Sequence, residues 1–250
     1  MYRLSRLSRH QGGRQWMQKQ SGDPFVAEAR RRGYVARSAF KLIDMDDKFG
    51  LFSRQHTRVV VDIGCSPGSW LQVTRERCGD HCALFGVDLL QVSARVPGAV
   101  CIQGDFTTGK VQQELLTRMS SVNAKGMVNV VMSDMCLNRG TGGTDDRQKQ
   151  MQLNMEALAF ATSQLTHGGH FLCKVLGSPT AYEELREEAQ RWFLKTAICK
   201  PSSSRRGSDE SFMVCLAKRE VPQPRRCGER ENRQGFGLDD WPGFIRRPRR

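Results

Sequence analysis

The chain has no uninterrupted apolar run as long as the ~18–20 residues that a membrane-spanning helix requires. We therefore expect a soluble protein with no membrane partner. Near Cys78, His81 and Cys82 there is no second Cys or His pair at the spacing of a zinc site, and we expect no metal. The nine cysteines are an odd number and no secretory signal is visible, which favours a reducing compartment.

Acidic residues are absent from residues 1–22, which contain four Arg and one Lys among Ser, Leu, Met and Trp. This composition is typical of a mitochondrial targeting segment, and equally of an RNA-contacting arm, with a cytoplasmic location as the alternative. The net charge is +13, of which residues 1–37 contribute +7 and residues 219–250 contribute +4. Two basic ends on a nearly neutral body indicate a polyanionic partner such as nucleic acid, unless they are solubilising tails.

Short apolar runs alternate with helical patterns between residues 23 and 218. Strands are predicted at 58–63, 83–88, 99–103, 127–132, 170–175, 197–200 and 212–217. Helices are predicted at 24–32, 37–48, 68–77, 111–119, 146–166 and 179–192. The alternation predicts one α/β domain, with a seven-stranded, mostly parallel sheet and helices on both faces. Residues 219–250 have no periodicity, and we predict a basic, disordered tail.

Four carboxylates stand at the ends of predicted strands, where ligands bind in open parallel sheets. They are Asp62, Asp88, Asp105 and Asp134. The turn after the first strand has the spacing G-x-x-x-G rather than G-x-G-x-x-G, which disfavours a nicotinamide dehydrogenase. A strand-end carboxylate can accept ribose hydroxyls, so the pattern predicts a nucleoside cofactor without a pyrophosphate.

The chain resembles the FtsJ/RrmJ family of RNA ribose 2′-O-methyltransferases from about residue 23 to residue 218. The segments that carry the resemblance are RSAFKL (37–42), VVDIGCSPGSW (60–70), GVDLL (86–90), QGDF (103–106), VVMSDM (130–135), GGHFLCKV (168–175) and KPSSSR (200–205). The DPFV opening and the basic leader resemble the mitochondrial large-subunit branch of that family.

The resemblance implies a Rossmann-like fold that uses S-adenosylmethionine as methyl donor. It implies a catalytic tetrad of Lys41, Asp134, Lys174 and Glu210, although a one-residue slip would exchange Glu210 for Asp209. The cofactor would contact the glycine turn and the strand ends, through Asp62, Gly64, Pro67, Gly68, Trp70, Asp88, Asp105 and Asp134. The substrate would be a uridine ribose in the A-loop of large-subunit ribosomal RNA, within a precursor that includes assembly proteins.

The chemistry explains why two lysines and two acids are expected together. A ribose 2′-hydroxyl must lose its proton near the moment of attack, and a lysine accepts it only if its pKa falls from ~10.4. Burial in an apolar strand and the neighbouring Lys41 would lower the pKa of Lys174. Asp134 and Glu210 would orient both amines while opposing that fall. Lys174 is therefore expected to act as the base, or to stabilise the developing alkoxide.

Seven basic residues could contact RNA phosphates and position the substrate, the alternative being a solvated surface. They are Arg30, Arg31, Arg32, Arg37, Lys200, Arg205 and Arg206.

Two other functions stay open. The chain has GCSPGSW and SDMCLN where the family usually has GAAPGGW and SDMAPN, and Phe212 where a tyrosine is usual. These differences leave open a ribosome-assembly factor that binds immature RNA with weak or no catalysis. An mRNA cap 2′-O-methyltransferase would use the same tetrad, but no extra cap-binding domain is evident.

Overall fold

A computed structural model of the chain describes residues 23–122, 124, 126–136, 144–205 and 207–224, without the side chains of 144–147. Its centre is a seven-stranded sheet with the strand order β3-β2-β1-β4-β5-β7-β6. The strands are β1 Val59–Ile63, β2 Ala83–Asp88, β3 Ala99–Gln103, β4 Val128–Ser133, β5 Leu165–Leu176, β6 Phe193–Cys199 and β7 Glu210–Lys218. The predicted seven-stranded sheet is confirmed.

The first five strands run parallel, whereas β7 is antiparallel to both of its neighbours. Every residue of β1 is buried. A strand covered on both faces has no solvent side, which explains why VVVDI is a nearly continuous apolar run instead of an alternating pattern.

Helices cover both faces of the sheet, as the alternation predicts. They are α1 Pro24–Arg31, α2 Ala39–Phe49, α3 Ser69–Cys78, α4 Gly109–Ser120, α5 Thr144–Gln164 and α6 Glu183–Trp192, with a 3₁₀ turn at Pro179–Tyr182. The core beneath α1, α2 and α3 is separate from the core beneath α4, α5 and α6. Neighbouring residues of β5 pack into different cores: Leu172 into the core beneath α1, α2 and α3, and Phe171 into the core beneath α4, α5 and α6.

Local sequence explains the ends of the first two helices. The Asp23 side chain accepts a hydrogen bond from the Phe25 amide, and Pro24 occupies the first helical position. Helix α2 ends at Gly50, whose left-handed backbone (φ 65°) lets its amide bond the Asp46 carbonyl. The fixed end of α2 matters because this helix carries Lys41.

Several predicted boundaries were wrong. Helix α5 ends at Gln164, and β5 begins at Leu165 instead of His170. Leu165 pairs with Val128, and the register then shifts before His170 pairs with Val130, so the two glycines at 168 and 169 lie inside the strand. Strand β6 begins directly after α6, and β7 begins at Glu210, because pairing with neighbouring strands extends both elements.

The chain ends lie largely outside the described residues. Residues 1–22 and 225–250 are not described, so the targeting segment and most of the predicted tail belong to that part. The described start of the tail, residues 219–224, is hydrogen-bonded to the end of α6. The Arg219 amide donates to the Trp192 carbonyl, and the Gln223 amide donates to the Arg191 carbonyl. None of the described helices is long and apolar enough to cross a bilayer.

Candidate active site

Two lysines and two acids from four separate elements meet at the carboxyl edge of the sheet. The Lys174 Nζ donates to Asp134 Oδ1 at 2.6 Å and to the Asp134 carbonyl at 2.9 Å. The Lys41 Nζ lies 2.6 Å from Glu210 Oε1, and Glu210 Oε2 lies 4.0 Å from the Lys174 Nζ. The four residues form a continuous chain of opposite charges.

The fold explains this convergence. Asp134 follows the last residue of β4, and Lys174 lies on β5, next to β4 in the sheet. Strand β7 pairs antiparallel with β5, so that Glu210 lies opposite Leu176 and Phe212 lies opposite Lys174. Helix α2 presents Lys41, whose amine also lies over the Phe212 ring at 5.7 Å. Glu210, not the exposed Asp209, occupies the fourth position.

A general base must be a neutral amine, whereas the surroundings of Lys174 favour its protonated form. Burial lowers the pKa of Lys174, but the adjoining Asp134 carboxylate, with Cys136 and Glu210, outweighs burial and raises the pKa above its ordinary value. Without a ligand, Lys174 is therefore an ammonium. A base role needs a further change in its surroundings.

Asp62 is a buried acid without a hydrogen-bond partner among the described residues. Its side chain is fully buried on β1, and neither carboxylate oxygen accepts a hydrogen bond from any described residue. Burial raises the pKa of Asp62 well above its ordinary value, and Asp134, Cys101 and Asp88 add to the rise. An unsatisfied acid beside the tetrad indicates a place for a cationic or hydrogen-bonding ligand group.

The glycine turn between β1 and α3 packs closely against its surroundings. A Cβ on Gly64 would stand 2.8 Å from the Met135 amide nitrogen, and Gly64 also has a positive φ of 83°. The Pro67 carbonyl accepts hydrogen bonds from the amides of Ser93 and Ala94, which lie beyond β2. Only glycine at position 64 lets the turn approach the strand end that carries Asp134.

The Asp88 carboxylate connects this turn to the end of β2. One oxygen accepts from the Ser66 amide at 2.9 Å and the other from the Leu90 amide at 2.8 Å. Asp88 therefore holds both loops that surround the predicted cofactor position, and its remaining lone pairs are available to a ligand.

The FtsJ-like methyltransferase family model matches residues 34–218. The chain belongs to this family. A large-subunit ribosomal RNA methyltransferase E from Granulibacter bethesdensis is 40% identical over 80% of this chain and 82% of its own. Its counterpart from Alkalilimnicola ehrlichii is 37% identical over 84% and 97%. A crystal structure from Plasmodium falciparum, assigned as a ribosomal RNA methyltransferase, has a TM-score of 0.63 and 25% identity over 76% of this chain and 100% of that one.

Two other residues predicted to contact the cofactor of this FtsJ-like chain have different surroundings. Trp70 is buried, its Nε1 donates to the Ser38 carbonyl at 2.9 Å, and its ring packs on Phe212 at 5.7 Å. Asp105 is exposed, and its carboxylate accepts from the Thr107 amide and hydroxyl. In this structure Trp70 supports α2, and Asp105 stabilises the turn after β3.

The predicted RNA-contacting residues differ in how many contacts they make with other residues of the protein. Arg37 is largely buried, pairs with Asp23 and donates to the Ser203 carbonyl. Arg31 pairs with Glu28, and Arg32 lies 3.8 Å from Glu76.

Three further members of the set also lie at the surface. Arg30, Lys200 and Arg205 are exposed, although the Lys200 amine donates to the Ser208 carbonyl. Arg206 lies outside the described residues. Arg30 thus offers its charge to solvent, and Arg205 is exposed but lies 3.8 Å from Asp23, whereas Arg37 ties α1 and α2 to the loop before β7.

Two polar residues next to the FtsJ-like tetrad are not among the predicted site residues. Gln150 and Asn154 of α5 are almost fully buried and bond backbone carbonyls beside Asp134 and Lys174. Their sequence signal is a pair of amides four residues apart on the face of α5 that packs against the sheet.

No cluster of three or more His, Cys, Asp or Glu able to hold a metal ion occurs among the residues that the structure describes.

Proposed function

We propose that the protein transfers a methyl group from S-adenosylmethionine to a ribose 2′-hydroxyl of large-subunit ribosomal RNA. The observation that carries the proposal is the Lys174–Asp134 contact of 2.6 Å, joined through Glu210 to Lys41 and bordered by the glycine turn. This arrangement can remove a proton from a hydroxyl that it also holds in place.

The residues at the sheet edge fit S-adenosylmethionine. This donor has a cationic sulfonium and an ammonium, and positive charge suits both Asp134 and the nearby Asp62, which accepts no hydrogen bond from the part of the chain that the structure describes. Asp88 suits a ribose, and the exposed Leu89 and Leu90 suit an aromatic base. When bound, the donor supplies a methyl group that is already electrophilic, so the protein needs only to prepare the nucleophile.

Lys174 is the residue that would accept the hydroxyl proton. Its ammonium must first release a proton to solvent, and both water exclusion by bound RNA and a cationic donor would lower its pKa. The neutral Nζ would then take the proton of the 2′-hydroxyl as that oxygen bonds to the methyl carbon, while the methyl–sulfur bond breaks and its electron pair stays on the donor sulfur. Lys41 and Glu210 hold Lys174 in place from the opposite side through the 4.0 Å contact.

The names of the relatives and the net charge of the chain support ribosomal RNA as the substrate. The curated relatives reported above are named as large-subunit ribosomal RNA methyltransferases. A net charge of +13 suits binding to phosphates. We propose a uridine of the A-loop as the target nucleotide, within a large-subunit precursor that includes assembly proteins.

Methyl transfer to defined RNA tests this proposal. The protein is incubated with labelled S-adenosylmethionine and either large-subunit precursor particles or free RNA, and the modified nucleotide is mapped. We expect ribose label in the A-loop, lost in Lys174→Ala, while Lys195→Ala on β6 keeps it. Label on a base, or equal labelling by Lys174→Ala, contradicts the proposal.

The second candidate function is an assembly factor that binds immature ribosomal RNA with weak or no catalysis. The observation that favours it is the ammonium state of Lys174, which Asp134 stabilises. Tight precursor binding without methyl transfer, under conditions in which a bacterial relative is active, would support this function instead.

We also propose that residues 1–22 direct the protein to mitochondria and that the chain belongs to the mitochondrial branch of the family. The basic, acid-free composition supports this location. A fluorescent protein fused to residues 1–22 is expected in mitochondria, and a variant with its four arginines replaced by glutamine is expected in the cytosol. Cytosolic fluorescence from the unchanged fusion contradicts the proposal.

A further inference from the structure

The pairing between β4 and β5 ends just before Asp134 and Lys174, whose contact carries the proposed function. The last aligned pair between β4 and β5 is Ser133 with Cys173. Asp134, which follows β4, and Lys174 on β5 come next along the chain, so they lie beyond the parallel β4–β5 ladder. The β4–β5 ladder therefore does not join their backbones directly, although the Asp134 amide donates to the Ile63 carbonyl of β1 and Lys174 pairs with Phe212 of β7.

Helix α5 supplies hydrogen bonds at this point. The Asn154 Nδ2 donates to the Lys174 carbonyl at 2.9 Å. The Gln150 Nε2 donates to the Met135 carbonyl at 3.0 Å and lies 3.3 Å from Asn154 Oδ1. The two amides thus connect the strand end that carries Asp134 with the strand that carries Lys174.

These side chains are polar in an otherwise apolar interface. Gln150 and Asn154 are only 3% and 2% exposed, whereas the following residues on the same helix face, Ala157 and Ala161, are fully buried and apolar. A buried amide is unfavourable unless it is hydrogen-bonded, and an apolar side chain would pack here without that requirement. The amides therefore have a role that packing alone does not explain.

We propose that Gln150 and Asn154 are positioning residues that hold the backbones of Asp134 and Lys174 at the separation the reaction needs. The inference rests on the proposed function. A displacement of about 1 Å in a catalytic group can lower a rate by about 100-fold, so a small separation of the strand ends would have a large effect.

The test compares Asn154→Leu and Gln150→Met with a matched control, Asn129→Leu. Asn129 is also a partly buried amide on the sheet, but it accepts from the amides of Arg58 and Val59 at the opposite edge. We expect kcat to fall at least about tenfold in both test variants, with the Kd of S-adenosylmethionine changed less than about twofold. The control is expected to lose stability but to keep kcat within about twofold.

A second measurement does not depend on activity. NMR titration of the Lys174 ammonium in full-length protein reports how close Asp134 stays to it. We expect the Lys174 pKa to fall in Asn154→Leu and Gln150→Met, because the ion pair loosens, and to stay unchanged in Asn129→Leu.

The outcomes separate this inference from the proposed function. If the wild-type protein transfers no methyl group but the Lys174 titration shifts as expected, the function is wrong and the positioning role stands. If both test variants keep the wild-type kcat and Lys174 titration, or lose no more than the control, the positioning role is wrong.

Discussion

At the scale of single residues, the candidate site combines satisfied and unsatisfied charges. Lys174 and Asp134 satisfy each other, and so do Lys41 and Glu210. Asp62 is buried beside them with no hydrogen-bond partner among the described residues. An acid kept in this state destabilises the ligand-free fold, so its presence is better explained by binding than by stability.

The raised pKa of Asp62 leads to a prediction about how the stability of the fold depends on pH. Its folded pKa is raised, so its contribution to stability is present below the unfolded pKa of about 3.9 and is lost as pH rises through the folded pKa. We expect Asp62→Asn to remove this loss, so that the variant gains stability relative to wild type between about pH 4 and pH 8, by roughly 1–3 kcal/mol. Urea unfolding across this range measures the difference.

The same substitution should weaken binding of S-adenosylmethionine, and calorimetry in buffers of different ionisation enthalpy would show proton release only for wild type. Asp80→Asn is the control, because Asp80 is an exposed acid before β2, away from the carboxyl edge of the sheet. Parallel pH profiles of wild type and Asp62→Asn would contradict the assignment.

Residue identities at the site could be predicted from the sequence, whereas their charge states could not. Strand-end positions and the family resemblance indicate Lys41, Asp134, Lys174 and Glu210, and the fold brings these four together. The pKa of Lys174 depends on whether burial or Asp134 dominates, and only a 2.6 Å distance decides that. The contacts of Arg37 could not be predicted from the sequence either, because its partners Asp23 and Ser203 are distant from it along the chain.

At the scale of elements, the antiparallel pair β5–β7 contains a half-buried histidine. The His170 Nδ1 accepts a hydrogen bond from the Ala217 amide at 3.1 Å. Ala217 has a positive φ of 55°, which is unusual for a residue with a side chain. The bond therefore supports an irregular end of β7, next to the point where the β4–β5 register shifts.

This histidine predicts acid sensitivity. Burial lowers the pKa of His170, so its stabilising contribution is present above the unfolded pKa of about 6.5 and is lost as pH falls through the folded pKa. We expect wild type to lose up to about 1 kcal/mol between pH 7.5 and pH 5.5 in urea unfolding, and His170→Gln to lose less. His167→Gln, on an exposed position of the same strand, should behave like wild type. An equal loss in all three proteins would contradict the prediction.

Element boundaries were harder to predict than element order. The alternating pattern predicts seven strands in the right order because each strand is a short apolar run. The start of β5 was wrong because two glycines look like a helix break in sequence, while the structure accommodates them in a shifted ladder. A Cβ added to Gly169 would lie only 3.0 Å from the carbonyl oxygens of Asn129 and Thr166.

At the scale of the whole molecule, one sheet separates two apolar cores. Phe171 and Leu172 are neighbours in sequence, are both fully buried, and point into different cores. Because every strand contributes to both cores, loss of either core removes support from the same sheet. The domain should therefore unfold as one cooperative unit.

Two truncations test this cooperativity. We expect Phe171→Ala to lower the free energy of unfolding by about 3–5 kcal/mol and Leu172→Ala by about 2–5 kcal/mol. Each variant should still show one transition, with the same midpoint by circular dichroism and by tryptophan fluorescence. A second transition in only one variant would show that the two sides of the sheet unfold separately.

The salt bridge at Lys174 has a consequence for the protein's own chemical integrity. An unprotonated amine is a far better nucleophile than a sugar hydroxyl, and one held beside an alkylating donor would capture the methyl group itself. By keeping a proton on that nitrogen, Asp134 removes the lone pair until substrate arrives. On the proposed function, protein stored with S-adenosylmethionine but without RNA should keep an unmodified Lys174 in its mass spectrum, and Asp134→Asn should slowly become methylated there.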